Sequence, residues 1–306
     1  MDCSCGRPMI IGLSEKRDDA DRKAIDDLTR QAKSQSGAIA ELTKSKIEQL
    51  RAEVAAERAF ASALKKSRTE VISELKKALI RIDPTTLASM SNDQLTDLIL
   101  QSGLAGAIDT FIDQQDKIRD SIGGALNAVD PTFNFDSIAP QIDTLQIQNT
   151  NAVFDEIIIP SYQTSIRESL RNIAMEVPIA SAMSNLQIRL SKSEGSALTE
   201  VRTKISQYGR GVTAVAATAA GLKYNLYTGP RDGITRPFCR ELIDLVVSDQ
   251  QMRRLNNDQG LAVVTSGGGY NCRHSWSPVT EGFIKAAKLT KASNADITKA
   301  NAKAKR

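Results

Sequence analysis

The chain has 306 residues and 33.2 kDa, with 41% hydrophobic, 25% charged and 4% aromatic residues. That balance fits a folded protein of about two domains and excludes collagen-like, disulfide-scaffold and wholly disordered classes. The formal charge of +4 is uneven: residues 282–306 carry +6, which leaves −2 on residues 1–281 and makes the basic character a property of the C-terminal end.

The opening MDCSCGRPMI lacks the charged start and apolar stretch of a secretory signal. Residues 1–16 read as an irregular arm, and Asp18 to Lys33 as a short polar helix. From Gly37 to Ile82 the apolar positions Ile39, Leu42, Ile47, Leu50, Val54, Phe60, Leu64, Val71, Leu75, Leu79 and Ile82 recur at helical spacing, with Glu57 and Arg68 interrupting the seam. A helix of that span is roughly 70 Å long and needs a partner helix or another subunit along its stripe. Asp83-Pro84 stops it, and Ser91 to Gln94 reads as a capping box for the next helix. Gly103 and Gly106 weaken that helix, which resumes through Phe111, Ile118 and Ile122 until Gly123-Gly124 ends or bends it.

Asp130 to Asp136 reads as a loop. A helical stretch from about Ser137 to Glu176 follows, with Pro160 as a kink. A short helix from Pro178 to Leu190, a turn at Ser191 to Gly195, and helices at Ser196–Tyr208 and Val212–Ala220 complete the helical body. The texture then changes. Leu222 to Thr228 alternates as a strand does, Gly229-Pro230 and Asp232-Gly233 mark turns, and Leu261 to Thr265 reads as a second strand. The expected fold is mainly α with a small α+β C-terminal module. Its parts are an arm and short helix at 1–36, an elongated helical region at 37–220, the module at 221–281 and a flexible basic tail at 282–306. No run of 18 apolar residues occurs, so no membrane-spanning helix is expected.

Two stretches carry the most information: Tyr227-Thr-Gly-Pro-Arg-Asp232-Gly-Ile-Thr235-Arg236-Pro237-Phe238-Cys239, and Gly267-Gly-Gly-Tyr270-Asn271-Cys272-Arg273-His274-Ser-Trp276-Ser-Pro278. The Asp232 carboxylate can accept backbone N–H bonds in its turn and pair with Arg236 or Arg273 through a planar guanidinium. Thr235 can cap the helix that Pro237 starts, which aims Cys239 at the core. Cys272 and His274, two apart, point to one side of an extended segment. Four cysteines make no disulfide framework, and a reducing, intracellular origin is the default. Cys239, Cys272 and the only histidine, His274, leave three readings open: buried free thiols beside a hydrogen-bonded imidazole, a Cys239–Cys272 cross-link, or a Zn²⁺ site. A fourth zinc ligand would be Asp232 or one of Cys3 and Cys5. A nucleophilic cysteine with His274 as base is the corresponding enzyme reading.

The two stretches resemble the signatures of phage head-morphogenesis proteins, the minor head proteins of the Mu F-like family. The first is similar to its Asp, Thr-Arg-Pro, Cys/His signature and the second to the closing Asn-Cys-Arg-Cys/His … Pro signature, in the same order and about thirty residues apart. Thr199-Glu200 resembles the pair in the family's preceding helix, with Leu198 where arginine is usual. The resemblance covers about residues 195–280. It implies a non-enzymatic virion component present in few copies, attached to the portal protein and other head proteins, and acting in capsid assembly, DNA packaging or ejection. It implies a location in the virion and, during assembly, in the host cytoplasm. A neck or connector component is the neighbouring expectation. Another is non-specific contact with packaged DNA or an acidic partner through Lys285, Lys288, Lys291, Lys299, Lys303, Lys305 and Arg306. The long helix adds an expectation of self-association or helix pairing.

Overall fold

A computed structural model describes residues 9–35, 37–130 and 132–305. Cys3, Cys5 and Arg306 lie outside the described residues. Helix α1 spans Met9–Ser34, so residues 9–16, which contain no proline, are helical rather than irregular despite Gly12. Helix α2 spans Gly37–Arg81 as the periodicity predicts. Asp83 caps α3 (Pro84–Ala88) by accepting from the Thr85 and Thr86 N–H groups. Ser91 and Gln94 form the expected capping box of α4 (Asn92–Ile99). A π-helical turn at Leu100–Leu104 follows, where Gly103 takes φ +103°, a conformation a side chain would strain. Helix α5 (Ala105–Val129) then continues through Gly123 and Gly124, which do not end it. After a 3₁₀ turn at Phe135–Ile138 come α6 (Ala139–Val153), a second π turn (Phe154–Ile158) and α7 (Ile159–Ala174). Pro160 therefore sits just after an irregular turn that absorbs its missing donor.

Helix α8 is continuous over Ile179–Ala219, and the turn expected at 191–195 is absent. Next come β1 (Tyr224–Thr228), α9 (Pro237–Leu242), β2 (Leu245–Ser248), α10 (Asp249–Met252) and α11 (Val263–Ser266). They are followed by β3 (Ser275–Val279), α12 (Glu281–Ala286), β4 (Thr290–Lys291) and α13 (Asn294–Ala304). The strand expected at 261–265 falls largely in α11. The strand order is β3-β1-β2-β4, with β1 antiparallel to β2 and β3, and β2 parallel to β4. The chain is thus mainly helical with a small mixed sheet near its C-terminal end, as expected.

The contacts divide the chain into two compact units that do not follow the expected boundaries. One comprises residues 55–116 and 146–204. Its core holds Phe60, Phe111 and Phe154, whose ring centroids lie 5.3–5.8 Å apart. The two interruptions in the α2 seam have partners on α8: Glu57 pairs with Arg202 and Arg68 with Glu194. One helical run, Asn92–Asn127, is by length and composition apolar enough to cross a membrane. Its Leu95, Ile99, Leu104 and Phe111 are core residues of this unit, so that evidence for a span is weak.

The other unit comprises the described residues within 9–54, 117–145 and 205–305. Ala24 and Leu28 of α1 pack on Ile47, Leu50 and Val54 of α2. The α2 stripe is therefore covered here by a helix of its own chain. The sheet has two apolar faces. Leu226, Val246 and Val279 meet Leu42 of α2 and Ile284 of α12. Tyr227, Val247 and Trp276 meet Phe238, Cys239 and Leu242 of α9 and Ile297 and Ala300 of α13. The module expected at 221–281 is hence built into a larger core.

Residues 282–305 are not a flexible tail. Helix α13 opens with a Ser293–Asp296 capping box and buries Ile297 and Ala300. Its Asn301 side chain donates to the Arg254 carbonyl at 2.9 Å and accepts from the Asn256 N–H at 2.8 Å.

Candidate functional site

The site forms where the two motif stretches meet, within the unit that holds the sheet. The Tyr227 side chain projects from β1 toward α9, and Pro237 in the first turn starts α9 so that Phe238 and Cys239 face inward. Arg236, not Thr235, is the N-cap residue, and no side chain caps the helix. Thr235 serves the preceding turn instead. Its hydroxyl lies 2.8 Å from the Pro230 carbonyl and 2.9 Å from Asp232 Oδ1, and it accepts from the Asp232 N–H at 3.1 Å.

Asp232 pairs with Arg273 through two contacts of 2.6 and 2.8 Å and accepts from the Ile234 N–H. Burial pushes its carboxyl up, but Arg273, Thr235 and that N–H outweigh burial and hold it below the usual carboxylate range. Arg236 does not reach Asp232. It donates to the Gly268 carbonyl at 3.1 Å and the Tyr270 carbonyl at 2.6 Å, tying the two motif stretches together.

The second stretch folds back on itself. Gly267 and Gly269 have φ +54° and +107°, and Asn271 takes φ +55°, a conformation asparagine tolerates better than most residues. Cys272 donates its N–H to the Gly269 carbonyl at 3.2 Å. A methyl on Gly268 would overlap Cys239 Sγ, and one on Gly267 would sit 3.0 Å from Cys272 Sγ and 3.1 Å from Tyr227 Oη. The glycine triplet therefore allows close backbone approach rather than cradling phosphate.

At the centre, Cys239 Sγ and Cys272 Sγ are 3.8 Å apart, and Cys272 Sγ is 3.7 Å from His274 Nδ1. All three donor atoms lie within 4.8 Å of one another and all three residues are buried. The Tyr227 hydroxyl lies 3.4 Å from Cys239 Sγ and 3.7 Å from Cys272 Sγ, and its ring stacks on the imidazole. The Gly268 N–H donates to Cys272 Sγ at 3.2 Å. His274 Nε2 lies 2.9 Å from the Pro230 carbonyl. A carbonyl only accepts, so Nε2 carries a proton, and Nδ1 is the ring nitrogen that faces Cys272. The Cys239 thiol, the imidazole and the Arg210 charge lower the Cys272 pKa despite burial, while the hydrogen bond to Cys272, with burial, raises that of Cys239. Burial and both cysteines raise that of Tyr227.

Two residues of the site escape the sequence reading. Arg210 of α8 is buried and donates to the carbonyls of His274 at 3.0 Å, Thr265 at 3.1 Å and Cys272. Its signal is a lone arginine between Gly209 and Gly211 in a narrow-sided helix. Tyr227 is the other, visible only as the start of the motif. Among the C-terminal lysines, Lys291 pairs with Glu281 at 2.7 Å and lies over the Tyr224 ring, and Lys299 pairs with Glu241 at 2.7 Å. Lys285, Lys288 and Lys305 are exposed and Lys303 is half-buried, away from the thiol centre in sequence. No family model, curated protein or solved structure matches the chain.

Proposed function

We propose that the chain is a minor head protein of a bacteriophage virion, associated with the portal and other head proteins, and acting in head assembly, DNA packaging or ejection. The observation that carries this reading is the closed clasp formed by the two motif stretches. Asp232 holds Arg273, Arg236 holds the Gly268 and Tyr270 carbonyls, and the thiols meet His274 in the interior. Residues that carry the family resemblance thus come together in one packed element, as a structural signature would.

A non-catalytic role is supported by enclosure. Cys239, Cys272 and His274 are 1%, 5% and 2% exposed, which leaves a substrate no approach to either sulfur. The imidazole is oriented by a backbone carbonyl rather than a carboxylate. The reading of the C-terminal end as a DNA-binding tail is weakened by the pairing of Lys291 and Lys299 with carboxylates. The protein would act in the virion after assembling in the host cytoplasm.

Mass spectrometry of gradient-purified particles tests the proposal, followed by affinity capture of the full chain from lysates making those particles. The expected result is a few copies per particle and co-purification with the portal protein. Intact, infectious particles that lack the chain would overturn it. Recovery with tail-end fragments alone would move it to the neck.

A further inference from the structure

We infer that Cys239, Cys272 and His274 bind one Zn²⁺ ion as a structural centre, with the Tyr227 hydroxyl at the fourth face. The inference does not depend on the virion reading. It begins with spacing. Zinc–sulfur and zinc–nitrogen bonds of about 2.3 and 2.0 Å place donors on a tetrahedron with edges of roughly 3.8 Å between sulfurs and 3.5 Å between sulfur and nitrogen. The Cys239–Cys272 and Cys272–His274 edges are 3.8 and 3.7 Å. The Tyr227 oxygen completes two further edges of 3.4 and 3.7 Å. A disulfide would bring the sulfurs to about 2.05 Å.

The surroundings point the same way. The Pro230 carbonyl fixes the imidazole tautomer, leaving Nδ1 as the ligand atom, which is how ligating histidines are commonly oriented. The Gly268 N–H is aimed at Cys272 Sγ, where it stabilises sulfur with thiolate character. Arg210, on the backbone carbonyls of both Cys272 and His274, fixes the segment that carries two of the donors. Two soft sulfur donors with one imidazole select zinc over calcium or magnesium. Binding replaces the two thiol protons by the metal, and those protons leave to solvent.

The test uses the full chain purified under reducing conditions. Elemental analysis should find about one zinc per chain, and after chelation Co²⁺ should restore a sulfur-to-cobalt charge-transfer band and tetrahedral visible absorption. A Cys239→Ser/Cys272→Ser variant should lose both signals, and a Cys3→Ser/Cys5→Ser variant should keep them. Tyr227→Phe should weaken binding roughly tenfold or more, the scale of a lost supporting group. If the serine variant does not fold, the wild-type result decides. Reduced, folded wild type with neither bound zinc nor a cobalt spectrum overturns the inference. So does a Cys239–Cys272 disulfide found by peptide mapping of the unreduced native chain.

Discussion

Replacing Arg210 with methionine isolates the contact that most strongly joins the long helix α8 to the clasp. Methionine keeps much of the aliphatic stem but removes the donors to the His274, Thr265 and Cys272 carbonyls. Hydrogen bonds from a charged donor contribute about 1.5–3 kcal/mol each, and their loss leaves buried carbonyls unpaired. Three such bonds do not add fully, and removing a buried charge offsets part of the loss, so a net cost of about 4 kcal/mol is expected. At roughly 2–4 °C per kcal/mol, the melting temperature should fall by about 8–16 °C. The assay has a built-in reporter. Trp276 is the only tryptophan; its Nε1–H donates to the Val263 carbonyl at 3.0 Å and its ring lies 4.4 Å from that of Tyr227. Its fluorescence therefore follows this core. Arg210→Lys, which keeps the charge but not the fork, should fall between the two. An Arg210→Met protein whose tryptophan transition stays within about 1 kcal/mol of wild type would refute the reasoning.

Asp232→Asn should cost about 3 kcal/mol, because Arg273 is left buried without its charge partner, and chemical denaturation followed at Trp276 would measure it. The Asp232 pKa is lowered on folding, so its stabilisation is complete above the unfolded carboxylate pKa and is lost as pH falls through the folded one; Asp232→Asn should flatten that acid limb. Glu194 behaves in the opposite sense. Burial pushes its pKa up to about 7, with Tyr162 and Arg68 pulling it back only part of the way. Its contribution is therefore full below about pH 4.5 and lost as pH rises through 7, a swing of about 3 kcal/mol that Glu194→Gln should abolish in melting curves between pH 5 and 8. Gly268→Ala should cost about 1–3 kcal/mol by overpacking against Cys239, and a variant at Gly233, where added bulk meets nothing, is the control.

Periodicity and punctuation make much of the fold legible. The α2 stripe, its stop at Asp83-Pro84, the Ser91 capping box and β1 follow from local chemistry that tertiary contacts do not override. The sequence reading fails where a distant partner decides. Ser191 to Gly195 has turn composition, yet Glu194 is drawn into the core by Arg68 and Tyr162, and α8 continues through it. The β-branched residues of 261–265 suggest a strand, but Gly267 and the buried Trp276 bond to the Val263 carbonyl favour a helical turn there. In the C-terminal end, two small apolar anchors, Ile297 and Ala300, are hidden among lysines and alanines, so charge dominates the reading while burial dominates the structure. At the site, the Asp232–Arg273 option and the inward Cys239 are legible. The Thr235 cap is not, because its hydroxyl has nearer partners in the Pro230–Asp232 turn. Arg210 lies 55 to 64 residues before the carbonyls it bonds, and only folding brings it to them.

The strand order also governs how copies of this protein behave when concentrated. One outer strand, β3, carries Pro278, which has no amide hydrogen to offer a neighbouring chain. The other outer strand, β4, is two residues long and includes Lys291. Neither border offers the long, flat template on which sheets recruit further sheets. These borders disfavour polymerisation through the sheet when copies are crowded together, which leaves helical and loop surfaces as the route to assembly.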